Sequence, residues 1–417
     1  MTGEKMAPEI GRRTFLKHVA GASAVASGAL LASQSVLGAN DRIRIGLIGA
    51  GSRGTAIIKA ALQCQGVEAV AAADVFEGRL QQITRVAPGL KTYTDFRRLL
   101  DDNNIDAVLI ASPQHQHALH FVPALQAGKD VYQEKTMAFT PDHAKRMRQA
   151  YAAAGRVVQI GIQSTSSPAF AQVKRLATPE HMGTITLVHT HHYRNAPYGG
   201  WKRPIPGDCD PAHVDWAAFQ GEAAPQPFNS DRVVNWRFYW DYSGGNVFEN
   251  MVHPVGFWYK ALDLKIPQSV TMTGANFLSP LMQPPDTMDV SMRLENLLFT
   301  WNSAFGNHHY GETDDVLGGN KGSVLRDKEG RVKFVSEQKI AKGGAKSDSP
   351  SAAPASTSDS DETLAHMRNF MDCVRSRAEP NCPFELGFRS AIACQMAVKS
   401  YREGRTVRWD VSREEIV

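Results

Sequence analysis

Gly49-Ala50-Gly51-Ser52-Arg53-Gly54 is a GxGxxG run, and its setting gives the spacing a chemical meaning. It follows the apolar stretch RIRIGLI from Arg42 and leads into TAIIKAALQC, Thr55 to Cys64, whose apolar residues recur at helical spacing. Small residues at such a turn let a pyrophosphate reach backbone N–H groups at the positive end of a helix. Asp74 ends the next strand, twenty positions beyond Gly54, where a carboxylate can accept both hydrogen bonds of an adenosine ribose diol. A 2′-phosphate beside that carboxylate would meet like-charge repulsion on the order of a few kcal/mol, so NAD is the expected cofactor. Arg79, five residues on, could reach such a phosphate and leaves NADP open.

Two more constellations could move protons. QEKTMAFT sets Glu134 and Lys135 side by side after GKDVY, and ENMVH spaces Glu249 and His253 four residues apart. Taking hydride from a secondary alcohol needs a base for the hydroxyl proton and a cation for the developing alkoxide. His253 suits the first role and Lys135 the second. At i, i+4 spacing Glu249 would share a helix face with His253 and could orient the imidazole or stabilise its cation. By residue type and spacing alone, Lys135 also fits an ordinary surface turn, and Glu249 with His253 also fits a capping or salt-bridge pair.

The elements that must position these groups alternate at first. RIRIGLI, VEAVAAADV, IDAVLIASP, KDVYQE and RVVQIGIQ read as strands, with helices at TAIIKAALQC, HALHFVPALQAG and PDHAKRMRQAYAAAG. The last of these has proline in its first turn and glycine at its end. Strands and helices alternating over such short connections imply a doubly wound parallel sheet, here assigned to residues 40–165. Beyond residue 165 the extended runs TITLVHTHHYR, SVTMTGANFL, DVSMRLENLLFTWNSAF and SVLRD lack intervening helices. They imply a second α/β domain, 166–417, with a mostly antiparallel open sheet. Residues 341–362 are rich in Ser, Ala and Pro and are expected to form a flexible loop. Two helices, Leu364 to Arg377 and Glu385 to Gly404, close the chain.

With GAGSRG, NNIDAVLIASPQHQHALHFVPALQAGKDVYQEK, WDYSGGNVFENMVHPVGFW and HMRNFMDCVRSRAEPNCPFELGFRSAI in place, the chain resembles the Gfo/Idh/MocA oxidoreductases over nearly all of its length after residue 39. The resemblance implies a Rossmann domain followed by a domain whose open sheet supports the substrate site and often the oligomer interface, hence a homo-oligomer. It implies that Lys135, at the position of the lysine in an EKP motif, contacts substrate and nicotinamide. Glu249 and His253 match an Asp-x-x-x-His pair that carries acid/base work. Thr136 stands where the motif has proline, and Glu249 where it has aspartate. Gln163 matches a position near the nicotinamide, and Pro113, His115 and His117 line the preceding loop with Glu134 close by. His191 and Tyr193 are expected to touch substrate, and Trp236 and Arg237 belong to an aromatic-rich stretch that could stack on sugar rings. His189, His191 and His192 do not make a metal set, because His192 opposes the other two on the strand and no nearby carboxylate completes it.

The 417 residues carry a net charge of only +4, too small to demand a nucleic-acid partner. Five scattered cysteines suggest free thiols rather than a disulfide framework or a zinc ribbon. GRRTFLK, followed by an uncharged Ala/Gly/Ser-rich run to Ala39, resembles a twin-arginine export signal, so residues 1–39 are expected to be a signal peptide of an exported, periplasmic protein. Membrane contact is then limited to export or an uncleaved anchor. The expected activity is NAD-dependent oxidation of a hydroxyl on a sugar, glycoside or polyol, with the cofactor held and recycled in place. The alternatives are a redox-assisted glycosidase working through transient C3 oxidation and a non-catalytic sugar-binding protein.

Overall fold

In the computed structural model six parallel strands make the first sheet, in the order β3-β2-β1-β4-β5-β6. The strands are β1 (Ile43–Ile48), β2 (Val67–Ala73), β3 (Lys91–Tyr93), β4 (Ala107–Ile110), β5 (Asp130–Glu134) and β6 (Val158–Gly161). The structure describes residues 42–308, 313–338 and 359–417. The twin-arginine segment and residues 341–358 of the expected loop lie outside these. Every residue of β4, β5 and β6 is buried, which is what a parallel sheet covered on both faces requires of its central strands.

Helices α1 (Ser52–Ala61), α2 (Glu77–Val86), α3 (Phe96–Leu100), α4 (His117–Gln126) and α5 (Pro141–Ala154) connect these strands. Helix α5 shows how local chemistry sets the ends: the Thr140 hydroxyl accepts from the His143 N–H, Pro141 opens the first turn and Gly155 closes the helix at φ +59°. A side-chain cap of this kind stabilises a helix by about 1 kcal/mol. Strand β3 and helices α2 and α3 were not legible in the sequence. The strand is three residues long, too short for a period of two to register.

Nine strands form the second sheet, in the order β13-β12-β11-β7-β10-β9-β8-β14-β15. They are β7 (Ile185–Tyr193), β8 (Ser269–Ala275), β9 (Thr287–Arg293), β10 (Leu298–Ala304), β11 (Asp315–Gly319), β12 (Gly322–Arg326), β13 (Val332–Ser336), β14 (Val407–Asp410) and β15 (Glu415–Ile416). All pairs are antiparallel except β7 with β10. The run DVSMRLENLLFTWNSAF is a hairpin rather than one extended stretch: Leu294 N–H donates to the Leu297 carbonyl and reverses the chain between β9 and β10.

One face of this sheet is buried, through Val188 and Thr190 on β7, Val290 and Met292 on β9, and Phe299 and Trp301 on β10. It packs on helices α7 (Val252–Leu262) and α9 (Phe384–Glu403), following the shorter α6 (Ala169–Leu176). Helix α8 (Asp359–Ser376) behaves otherwise. Met367, Phe370 and Met371 join Ile57, Ile58 and Leu109 in the cluster beside the first sheet, so a segment that the sequence division puts in the second domain covers the first. Asp359 to Glu362, read from sequence as loop, are the first turn of this helix. Residues Ile43–Val417 accordingly form one compact unit.

Candidate active site

The GxGxxG turn joins β1 to α1, and each glycine has its own reason to be there. Gly49 sits at φ +92°, in the region that only glycine occupies freely, and a Cβ on it would lie 2.6 Å from the Ser112 nitrogen. A Cβ on Gly54 would lie 1.9 Å from the Gly49 oxygen, so this glycine lets α1 close onto the turn. Gly51 is different, because nothing in the protein comes within 4 Å of where its Cβ would be. That open space is part of a cavity of about 950 Å³ whose wall includes Gly49, Gly51, Ser52, Arg53 and Asp74.

Asp74 is buried, with Oδ2 accepting from Ala50 N–H at 2.8 Å and Oδ1 from Phe76 N–H at 3.0 Å. These bonds brace the glycine turn and use about two of the four acceptor positions of a carboxylate, leaving the others for a ribose diol. Arg79 Nη1 lies 3.7 Å from Asp74 and Nη2 donates to the Val233 carbonyl, so Arg79 is committed within the protein. An open cradle at Gly51, a helix N-terminus behind it and a carboxylate at the ribose position together fit a nicotinamide dinucleotide.

The catalytic candidates converge from elements far apart in sequence. Lys135, just past β5, places Nζ 2.8 Å from Glu249 Oε2 and 3.0 Å from the Glu249 carbonyl. Glu249 Oε1 accepts from Gln114 Nε2 at 2.8 Å and lies 3.1 Å from Arg237 Nε, an ion pair without hydrogen-bond alignment. Burial pushes the Glu249 carboxyl up, but the Arg237 and Lys135 charges outweigh it and hold it at about 2. Arg237 also lines the cavity, with Trp236 and Pro113, and so links this ion cluster to the nucleotide end.

Residues Val247–Met251 form a π-helical turn that runs straight into α7. A widened turn leaves carbonyls for other donors. Lys135 takes that of Glu249, and the Thr136 hydroxyl takes that of Phe248 at 2.8 Å. Thr136, which follows a cis Lys135–Thr136 peptide bond, thus ties the lysine loop to the glutamate turn. Glu249 and His253, four residues apart across this turn, lie close enough to feel each other's charge. Glu249 turns to Lys135, Gln114 and Arg237, and among the described residues no side chain hydrogen-bonds the His253 imidazole. Burial, then the positive charges of Lys135 and Arg53, hold His253 well below its usual range, so it is a neutral base at neutral pH.

Other sequence candidates stay within the fold. Glu134 accepts from Arg53 Nε at 2.7 Å and from Gln163, which also donates to the Tyr132 hydroxyl at 3.0 Å. This network locks Arg53 and Gln163 together behind the glycine turn. His115 is buried and bonds the Phe219 carbonyl through Nε2, and burial holds it down at about 4. His117 lies between the carbonyls of Thr136 and Ser112. Both imidazoles brace loops.

His191 and Tyr193 lie on the β7 face away from the buried Val188 and Thr190, in a row that begins with His189 bonded to Thr300. His192 is on the face shared with Val188 and Thr190. Burial, then Arg194, hold it at about 3, with Lys135 among its charged neighbours. Arg194 bonds His192 and Asn250, so this pair approaches the π turn from the sheet side. Strand alternation already set His192 apart from His191, but only burial shows which face looks inward. Gln114 was likewise visible in ASPQHQH without any sign of its partner 135 residues away.

Residues 43–162 match the Gfo/Idh/MocA family, an oxidoreductase family with an NAD-binding Rossmann fold. The first sheet and its glycine turn therefore match the NAD-binding Rossmann fold of that family. Inositol 2-dehydrogenase of Salmonella paratyphi B is 31% identical over 165 residues, 39% of this chain and 49% of that protein. Inositol 2-dehydrogenase 2 of Saccharopolyspora erythraea is 32% identical over 158 residues, 37% of this chain and 46% of that protein. The matched segment spans about half the length of these curated relatives.

Solved structures extend the likeness of fold over both sheets. Levoglucosan dehydrogenase in complex with NADH and levoglucosan aligns with a TM-score of 0.68 at 17% identity, covering 88% of this chain and 99% of that one. An oxidoreductase domain protein from Kribbella flavida gives 0.69 at 18%, covering 88% and 98%. At such identities the likeness concerns the fold alone.

Proposed function

We propose that this protein oxidises a secondary hydroxyl of a sugar or polyol to a ketone, using a nicotinamide dinucleotide that it retains. One observation carries the reading: the cavity that begins at the glycine turn and Asp74 ends at Arg237, which meets Glu249 and through it Lys135. When bound, NAD⁺ supplies the hydride acceptor. The chain's own groups do the rest. Lys135, held by Glu249, faces the oxygen on which negative charge develops, and the neutral His253 takes the hydroxyl proton. The match of residues 43–162 to an oxidoreductase family and the activities named for the relatives support the same chemistry.

Retention is supported by the segment from Trp201 to Arg237, which contributes one wall of the cavity. It is fastened to the nucleotide domain by Glu77 N–H to the His213 carbonyl, Asp215 N–H to the Val75 carbonyl and His115 to the Phe219 carbonyl. Phe76 packs with Val214, Phe219 and Val233 beneath it. A dinucleotide under this strap leaves only if these contacts part. The sequence at residues 11–39 suits export of a folded protein, and a chain exported with its cofactor would recycle it in place. Denaturing the purified protein should release stoichiometric NAD, identified by mass spectrometry, and a panel of sugars and polyols should yield a ketone product. Protein that neither carries nor binds nicotinamide, and makes no ketone, would sink the proposal.

The pH profile checks the base. A proton acceptor must be unprotonated, so kcat/KM rises with pH through its pKa and is flat above it. Because His253 is held well below 6.5, the rate should be flat from neutral pH down past that value and fall only in more acid solution. His253→Gln should remove this acid limb and roughly 10²- to 10⁴-fold of the rate. A limb centred above pH 6.5 in the unsubstituted protein would assign the proton to another group.

A further inference from the structure

Arg237 stands at the cavity wall with most of its hydrogen-bonding capacity unused. Its guanidinium lies 4.2 Å over the Trp236 ring, its side chain is 28% exposed, and among the described residues no group accepts a hydrogen bond from it. Of the other arginines of this cavity, Arg53, Arg79 and Arg97 have the carboxylates of Glu134, Asp74 and Asp95, and Arg203 gives its Nη1 to the Gly200 and Lys202 carbonyls. Arg237 must share Glu249 with Lys135, so two cations meet one anion in a largely buried cluster. The imidazoles nearby do not change that balance, since His253 and His192 are both held neutral. A partly buried positive charge that shares its counter-ion is only partly compensated, and the hydroxyls of a neutral sugar would satisfy its N–H groups without adding to that compensation.

We infer that the substrate carries a carboxylate, as a hexuronic or aldonic acid does, and that Arg237 receives it on its two free Nη groups while Lys135 and His253 face the reacting hydroxyl. The planar guanidinium matches a carboxylate bidentately, and the Trp236 ring beneath fixes its plane, so the acid group sets which carbon is presented. This rests on the sugar-oxidoreductase reading and names the substrate class within it.

The test is calorimetric titration of the NAD-loaded protein with D-glucuronate, D-galacturonate and D-gluconate, against D-glucose, D-galactose and myo-inositol. At least one acid should bind roughly 10- to 100-fold tighter than its neutral counterpart, as a charge-assisted pair would provide. Added salt should narrow the gap. In Arg237→Gln the acid-to-neutral ratio should fall to about one, and Arg237→Lys should restore part of it. Equal or weaker binding of every acid overturns the inference, and so does a ratio that survives in Arg237→Gln. Those results would leave the oxidoreductase reading standing if a neutral polyol is oxidised. If no compound is oxidised, that reading fails on its own, while the titration still decides whether Arg237 recognises an acid.

Discussion

Lys135→Met is expected to lower turnover by roughly 10²- to 10³-fold while leaving NAD bound, the size of effect that follows removal of one positioned donor from a developing oxyanion. The nucleotide should stay because Lys135 lies outside the glycine turn and its ammonium is engaged with Glu249. The substitution has a second consequence. Lys135 and Glu249 are 11% and 8% exposed, and breaking a buried pair by deleting one partner costs about 3–5 kcal/mol. Part of any loss in activity could therefore be loss of folded protein. A melting curve of Lys135→Met separates the two: Glu249 keeps its ion pair with Arg237, so the loss of stability should fall short of that range, and turnover lost from protein that stays folded at the assay temperature is lost from the chemistry. Near-normal turnover in this variant would remove Lys135 from the chemistry.

Gly51→Val and Gly54→Ala should fail in opposite ways, although both change the same turn. Gly51 has φ −69° and ψ −170°, ordinary extended backbone that valine adopts readily, and its Cβ would meet no protein atom. The variant should fold with an unchanged melting temperature and release no NAD on denaturation, because the valine occupies the space a pyrophosphate needs. Gly54→Ala would press a methyl against the Gly49 oxygen, so the turn or α1 must move, at a cost of about 1–3 kcal/mol or more. Melting curves and cofactor content on the two proteins make the comparison. A Gly51→Val protein that still carries NAD would show that the nucleotide lies elsewhere in the cavity.

Much of the nucleotide domain was legible in the sequence because its signals are local. Strand, glycine turn, helix and then an acid at the end of the next strand follow one another within thirty-odd residues, and buried parallel strands announce themselves as continuous apolar runs. The second sheet was readable as extended chain. Its hairpin at Leu294–Leu297 and the first turn of α8 were not, since LEN interrupts an apolar run only briefly and the composition around Asp359 matches the loop before it.

What the sequence determined by itself is the set of candidate reactive groups and the order of elements that carries them: the glycine turn, Asp74, Lys135 and His253. Tertiary structure decided their partners. A period of 3.6 residues predicts that Glu249 and His253 share a face, but only the folded chain shows Glu249 bonded to Lys135 and Gln114, on a π turn held by Thr136 and Lys135 from more than a hundred residues away. Strand alternation separates His191 from His192 without saying which one faces the helices, and nothing local joins Arg237 and Gln114 to one carboxylate. Contacts of this range arise only when packing brings distant segments together, where the cost of burying one charge selects the others that surround it. The position opposite Glu249, which makes Lys135 more than a lysine in a turn, is a property of the folded chain.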